Sequence, residues 1–167
     1  MMMGSGLMNK LPVNLRNNLM VTLFGILKIP MIFFVRPKVL ELSDSRCRLL
    51  VPFSWRNKNH LGVLYIGAMT VAADVTGGLA AMKEIINSKR NVHLLFKDMK
   101  ADYYKRAEGD TVFTCNQAAQ IKDFVQDVIK SGERKNFPLE IVATVPSKLG
   151  DEPVAKFILT LSLKLKE

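Results

Sequence analysis

An apolar run extends from Leu61 to Met82 and contains a single charged residue, Asp74. Polar and apolar residues do not alternate in this run, and Ala, Gly and Met are frequent. The run therefore predicts a long helix that is apolar on nearly all sides and buried in the core. Gly77 and Gly78 each destabilise a helix by roughly 1 kcal/mol relative to Ala, so we expect another backbone to approach the helix closely there.

The flanking patterns predict further helices and strands. Apolar residues over 118–131 recur at the i, i+3, i+4 spacing of a helix with one buried face, and Gly132 ends that helix. The last segment alternates apolar and polar residues from Ala155 to Leu165, as in an antiparallel strand with one solvated face. The remaining predicted elements are a helix over 14–28 followed by an extended segment after Pro30, strands over 35–41 and 46–52, a pair of strands over 91–104 and 110–116 that turns around Gly109, and a strand over 139–146.

Together these elements predict an α+β fold. A curved antiparallel sheet wraps one long buried central helix, with an additional N-terminal helix and one surface helix. A chain of 167 residues is long enough to bury one such core. We expect residues 1–29 to form an N-terminal tail and amphipathic helix, and residues 30–167 to form the main domain.

Two apolar segments raise the question of a membrane span. Lys28 and Pro30 interrupt the segment over 19–35, and Asp74 would cost about 2.5–3.5 kcal/mol at the centre of a bilayer. We therefore predict a cytoplasmic protein whose long apolar helix is buried in protein. Attachment to a membrane surface through residues 7–35 stays open, because the first helix carries an apolar stripe. The stripe consists of Leu19, Leu23, Ile26 and Leu27.

The net charge of +9 is spread along the chain rather than concentrated in a block. A spread positive field suits anionic partners such as nucleotide phosphates, acidic carriers or anionic lipid, and is equally compatible with a merely soluble basic protein. Aromatic and basic residues mix only at 103–106, so we expect no nucleic-acid partner. The sequence contains no glycine-rich nucleotide-binding motif of the P-loop or Rossmann type. Cys47 and Cys115 do not belong to a zinc-binding or redox motif. We expect no cofactor, no metal and two free thiols.

Asp74 is the strongest candidate for catalytic chemistry. Burial disfavours the charged form of a carboxylate and raises its pKa, which suits a general base. The alternative is a structural carboxylate that accepts hydrogen bonds from nearby backbone N–H groups, from Thr70 or from Thr76. His60 is expected in an exposed loop, and no serine has the context of a hydrolase nucleophile.

The spacing around Asp74 resembles that of a known family. Asn59 precedes the helix, and Tyr65-Ile66-Gly67 begins nine residues before Asp74. Hotdog-fold acyl-CoA thioesterases of the phenylacetate type carry an Asn, a His-Gly-Gly and an Asp or Glu at the corresponding places. The segment KRAEGD at 105–110 is similar to the family's Arg-Pro-Ala-x-x-Gly-Asp segment. Residues 154–164 resemble the last strand of a less characterised bacterial thioesterase-like branch, and the whole resemblance covers residues 30–166.

The resemblance implies a hotdog domain over 30–167 that forms a homodimer, or a dimer of dimers, by continuing its sheet across two subunits. The catalytic site would then lie at the dimer interface and hydrolyse an acyl-CoA or acyl-carrier thioester. In that site Asp74 is the base or nucleophile, and Asn59 orients water or the carboxylate. The backbone N–H groups of Ile66 and Gly67 hold the oxyanion.

Four further residues are candidates for binding the substrate: Tyr65, Thr70, Lys105 and Arg106, with the two basic residues meeting the coenzyme phosphates. The alternatives are packing for Tyr65, a solvated strand edge for the two basic residues, and an ordinary turn for Asn59. In this chain Tyr65 replaces the family's His, and Ile66 replaces its first Gly. These departures favour a second hypothesis, a non-catalytic acyl- or lipid-binding hotdog protein attached to a membrane through residues 7–35.

Overall fold

The computed structural model describes residues 12–166, so the predicted tail over 1–11 lies outside the described residues. The helices are α1 (Val13–Leu27), α2 (Pro30–Val35), α3 (Ile66–Ser88), α4 (Ala118–Ser131) and α5 (Pro146–Leu149). The strands are β1 (Lys38–Leu42), β2 (Cys47–Val51), β3 (Val92–Tyr103), β4 (Thr111–Cys115), β5 (Lys135–Thr144) and β6 (Pro153–Leu165).

One antiparallel sheet wraps the central helix α3. The six strands follow the order β1-β2-β4-β5-β6-β3. Helix α3 contacts β2, β3, β4, β5 and β6 and buries mainly small residues, including Ala72, Ala73 and Ala81. Because these side chains are small, the helix lies close to the sheet, where Phe113 and Phe157 are fully buried. The predicted α+β hotdog architecture is confirmed.

Helix α3 begins at Ile66, five residues later than the predicted start of the apolar run. The preceding residues form a tight turn instead, because Gly62 adopts a φ of +73° and its N–H donates to Asn59 O at 3.0 Å. Tyr65 is extended and occupies the N-cap position without a capping hydrogen bond from its side chain. At the other end the helix continues past Met82 to Ser88, where the left-handed Lys89 stops it.

The predicted helix over 14–28 is confirmed as α1, but the prediction of an extended segment after Pro30 is wrong. Pro30 occupies the first turn of the short helix α2, a position where its missing N–H has no cost and its fixed φ suits a helix. The two helices pack closely at Gly25, where a Cβ atom would lie only 2.7 Å from Phe33 N.

The predicted pairing of the strands on either side of Gly109 is also wrong. Strand β3 pairs with β6 at one edge of the sheet, whereas β4 lies between β2 and β5. The segment between β3 and β4 therefore crosses the end of the sheet rather than turning in a hairpin. The contacts of this crossover with the segment before α3 include two hydrogen bonds: Ala107 O accepts from Leu64 N at 2.9 Å, and Asp110 Oδ1 accepts from Phe53 N at 2.7 Å.

The last strand follows its predicted alternation. The apolar face of β6 is fully buried from Ala155 to Leu163, while Lys156, Thr160 and Lys164 are half-buried or exposed. Ser162 departs from the pattern, because it is buried and accepts a hydrogen bond from Arg134 Nη1 at 3.0 Å.

Gly77 and Gly78 of α3 face side chains rather than another backbone, contrary to expectation. A Cβ atom at Gly77 would lie 3.0 Å from Leu139 Cδ1, and one at Gly78 would lie 3.8 Å from Phe96 Cε2. Core side chains therefore fill the space at Gly77, while Gly78 lines a cavity. Within residues 12–166, no helix combines the length and the apolar character needed to cross a membrane.

Candidate functional site

Asp74 lies on α3 at the wall of an apolar cavity of about 610 Å³. The cavity is lined by α1, α2, α3 and β3, and Asp74 is the only charged residue among the described residues that line it. Met20 and Phe24 of α1 cover it from one side, and Leu94 and Phe96 of β3 line the other. Desolvation by this apolar surrounding raises the pKa of the Asp74 carboxyl.

No hydrogen bond or ion pair to the Asp74 carboxylate is found among residues 12–166. The hydroxyls of Thr70 and Thr76, which the sequence suggested as structural partners of Asp74, donate to backbone carbonyl groups instead. Thr70 Oγ1 donates to Ile66 O at 3.0 Å, and Thr76 Oγ1 donates to Ala72 O at 2.6 Å. A carboxylate without such partners is costly to bury, and perturbed groups of this kind are common at functional sites.

The N-terminus of α3 borders a second cavity of about 560 Å³. No side chain caps this helix end, and no acceptor is found within the described residues for the N–H groups of Ile66 and Gly67. The Tyr65 ring lies against Gly67, where a Cβ atom would collide with it. Ile66 is half-exposed at the same helix end. Ile66 thus brings the N-terminal end of α3 to this cavity, whereas Gly67 is not part of the cavity lining.

Asn59 has one structural role and one unused group. Its Oδ1 accepts from Leu61 N at 2.9 Å and from Val63 N at 3.2 Å, which fixes the turn before α3. The Nδ2 donor has no partner among the described residues. The side chain lines the second cavity, so this donor is available at the cavity wall.

Lys105 and Arg106 line the same cavity as Asn59, Tyr65 and Ile66. Lys105 Nζ forms an ion pair with Glu152, whereas Arg106 has no ion pair in the described part of the chain. Both side chains are exposed. The rim of the second cavity is therefore basic and accessible to an anion.

The predicted site residues fall into two groups within one chain. Asp74 follows Ile66 by eight residues, which places it about 12 Å further along the helix axis. A reacting carbonyl needs its base and its oxyanion donors within roughly 3 Å. Asp74 and the N–H groups of Ile66 and Gly67 of the same chain therefore cannot act on one carbonyl. Thr70 lies one turn into α3 and is found in neither cavity lining.

Asn57 is a positioning residue that sequence reasoning missed. It is buried, and its Nδ2 donates to Val35 O at 2.9 Å and to Pro52 O at 3.0 Å. Its backbone O accepts from Tyr65 N at 2.7 Å. Asn57 thus ties the ends of α2 and β2 to the start of α3. Asn57 lies only two residues before Asn59, and nothing in the local sequence distinguishes the two. The role of Asn57 depends on contacts with other elements, which the local sequence does not reveal.

The described residues contain no group of three or more His, Cys, Asp or Glu side chains arranged to hold a metal ion. Cys47 and Cys115 are both buried free thiols and lie directly opposite each other on β2 and β4. Desolvation, followed by the neighbouring Cys115, raises the pKa of Cys47 to about 12. Neither thiol faces the two cavities.

A long central helix wrapped by an antiparallel sheet defines the hotdog class of proteins. Within this class, residues 17–160 match the model of the family described as Domain of unknown function (DUF4442), and the chain belongs to that family. No curated protein matches the chain.

Solved structures share the fold over nearly the whole chain. A Pseudomonas aeruginosa protein of unknown function, described as a probable thioesterase, has 23% identity and a TM-score of 0.72, covering 93% of this chain and 97% of that one. A Chlorobaculum tepidum protein of unknown function has 12% identity and a TM-score of 0.78, with 92% and 97% covered. A Pseudomonas aeruginosa thioesterase, solved as a mutant, has 13% identity and a TM-score of 0.64, with 88% and 93% covered.

Proposed function

We propose that the protein is a thioesterase that hydrolyses the thioester of an acyl-CoA or an acyl carrier. The observation that carries the proposal is the Asp74 carboxylate of the central helix, which lines an apolar cavity and has no partner among residues 12–166. The descriptions of two structural neighbours as thioesterases support the same activity. The two buried free thiols are in keeping with the reducing cytoplasm as the place of action.

The proposed reaction uses Asp74 as a general base. The carboxylate takes a proton from water, and the water oxygen forms a bond to the thioester carbon. Negative charge develops on the carbonyl oxygen, which accepts hydrogen bonds from the N–H groups of Ile66 and Gly67 at the positive end of α3. When the C–S bond breaks, the thiolate takes the proton from Asp74, leaving a carboxylic acid and a thiol. Direct attack by Asp74 is the nucleophilic variant of this proposal.

The site is proposed to combine two chains of a homodimer. The 12 Å offset along α3 means that the base and the oxyanion donors have to come from different copies. Strand β3 offers a place for the second copy, because β6 pairs with one of its edges and no strand of the described residues pairs with the other. Extension of the sheet through β3 would bring Asp74 of one chain toward Asn59 and Ile66 of the next.

The cavities suggest where the two ends of the substrate bind. The apolar cavity beside Asp74 suits an acyl chain, since its volume of about 610 Å³ lies within the range of small-molecule pockets. Tyr65 and Thr70 are proposed to contact the acyl group near the carbonyl. Arg106 and Lys105 are proposed to meet the phosphates of coenzyme A or of a carrier at the basic rim.

Hydrolysis of a panel of acyl-CoA thioesters, from short to long chains, tests the assignment of Asp74. Asp74→Asn is expected to lower kcat/KM by about 100-fold or more, because a general base contributes 10²–10⁴-fold. Asp123→Asn is the matched control, since it removes an exposed carboxylate from another helix, α4. Unchanged hydrolysis by Asp74→Asn would remove Asp74 from the mechanism.

A non-catalytic acyl- or lipid-binding protein, acting at a membrane surface, is the second candidate. The arrangement of Tyr65 and Ile66 favours it, because the ring covers Gly67 and the Ile side chain stands at the helix end where the thioester would enter. Saturable binding of acyl-CoA without turnover of any thioester would support it. Gly78→Leu would place a side chain in the cavity, since Phe96 is the only described residue within 4 Å of a Cβ there. In either case this variant should weaken the binding of long acyl chains.

A further inference from the structure

Helix α1 exposes its apolar side and buries a polar residue. Asn17, Val21 and Gly25 face the protein. The opposite stripe includes Leu19 and Leu23, which are exposed, and Leu27 beside it is 73% exposed. A surface helix normally buries its apolar stripe and exposes polar residues. The outer face of α1 is therefore apolar although it is exposed, which indicates that it contacts something other than water.

The exposed apolar surface continues beyond α1. Met31 and Phe34 of the adjoining helix α2 are exposed, and Arg56 stacks on two aromatic rings, at 5.6 Å from Phe34 and 5.4 Å from Trp55. Trp55 is 76% exposed. We call this surface the helix-pair face, and define it by Leu19, Leu23, Leu27, Met31, Phe34 and Trp55.

The charged residues of the segment that forms α1 and α2 are all basic. The first acidic residue of the sequence is Glu41, and the charged residues before it are Lys10, Arg16, Lys28, Arg36 and Lys38. Within the described residues, none of the last four forms an ion pair, and neither does Arg56. The apolar face is therefore flanked by unneutralised positive charge.

We propose that the helix-pair face docks on an anionic lipid bilayer and lies in its headgroup region. Leucine and phenylalanine side chains enter the acyl boundary, Trp55 lies at the interface, and the Lys and Arg side chains reach the headgroup charges. A second copy of the chain fits the face less well. In a two-fold symmetric interface the same basic surface would meet itself, and like charges would repel.

Trp55 provides a direct reporter, because it is the only tryptophan of the chain. The full chain is mixed with vesicles of phosphatidylcholine alone, or of equal amounts of phosphatidylcholine and phosphatidylserine. We expect co-sedimentation and a blue shift of tryptophan emission with the anionic vesicles, and a decrease of both as salt is added. Equal partitioning onto both kinds of vesicle, or no shift of emission, would overturn the proposal.

Two variants separate the apolar contribution from the charge contribution. Leu23→Asn combined with Leu27→Asn should lower the partition coefficient by roughly tenfold or more. Lys28→Gln should lower it by about fivefold, the equivalent of about 1 kcal/mol for one basic residue near the surface. The matched controls are Leu61→Asn, at a loop leucine that is 65% exposed, and Lys130→Gln, on α4. Both controls should bind as the wild type does.

The oligomeric state distinguishes the bilayer from a second copy. Sedimentation of the Leu23→Asn/Leu27→Asn variant without vesicles should give the same mass as the wild type. A smaller mass, with vesicle binding unchanged, would assign the helix-pair face to contact between copies. Vesicle binding requires no hydrolysis, so Asp74→Asn should dock normally whether or not the protein is a thioesterase.

Discussion

At the scale of residues, Asp74 gives the clearest link between fold stability and function. Its carboxyl is half-buried, its pKa is raised by desolvation, and it has no partner within residues 12–166 to offset that cost. The charged form therefore destabilises the folded state, while the protonated form does not. A general base in an active site is expected to destabilise the fold in this way, because its position serves catalysis rather than stability.

Asp74→Asn should make the protein more stable at neutral pH. Because the pKa is raised on folding, the wild type loses stability as pH rises from the ordinary value of 3.8 through the raised value. Each tenfold change in the acid dissociation constant of Asp74 on folding changes the free energy of unfolding by about 1.4 kcal/mol. The Asn variant lacks this loss, so its advantage should be largest at neutral pH and vanish in acid below 3.8.

Urea unfolding of both proteins over a pH series measures this advantage. Asp123→Asn, at an exposed position on α4, should show no comparable pH-dependent gain. A gain of equal size at every pH would mean that the effect of Asp74→Asn comes from packing rather than from charge.

The spacing of residues in the sequence identified the candidate site residues, but it did not identify the residue that positions them. Asp74, Asn59 and Ile66 follow from the motif, because the residues of one helix and its preceding turn have fixed relative positions. Asn57 does not follow from it. Its partners Val35 O and Pro52 O belong to other elements, and their proximity depends on tertiary contacts.

At the scale of elements, the two adjacent glycines of α3 differ in what surrounds them. A Cβ atom at Gly78 meets only Phe96 at 3.8 Å, an ordinary contact. Gly78→Ala should therefore stabilise the fold by about 0.5–1 kcal/mol, the usual gain from replacing Gly by Ala inside a helix. Gly77→Ala should gain less or lose stability, because the new atom would lie 3.0 Å from Leu139 Cδ1 in the closely packed core.

Thermal or urea unfolding of the two Ala variants checks this difference. Equal stabilisation by both would mean that Leu139 moves aside without cost, and equal destabilisation would mean that Gly78 is as tightly packed as Gly77.

Elements with a strong local period were predicted well, and their boundaries and pairings less well. The amphipathic helix α4 and the alternating strand β6 have the expected extents, because each has one face that must be buried. The start of α3 was misplaced because Gly62 and Asn59 form a turn inside a continuous apolar run. The wrong pairing of β3 with β4 has a different cause, since partners in a sheet are chosen by long-range contacts.

At the scale of the whole molecule, the order of helices and strands was sufficient to predict a helix wrapped by a sheet. It was insufficient to predict which strands lie at the two edges of the sheet, β1 and β3. The edge strand β3 is central to the proposed function, because it is where a second copy would extend the sheet. The structure of a single chain separates Asp74 from the oxyanion donors by about 12 Å along α3, so the function proposed here depends on the assembly.

Mixed dimers test whether the site combines two chains. Asp74→Asn removes the base. Asn59→Asp keeps the Oδ1 acceptor for Leu61 N and Val63 N and replaces only the amide donor. Each variant alone should be nearly inactive. When the two are refolded together, half of the dimers should be mixed, and one of the two sites in each should be intact, restoring about one quarter of wild-type activity. The variants mixed without subunit exchange are the control, and no recovery after exchange would place the catalytic groups within one chain.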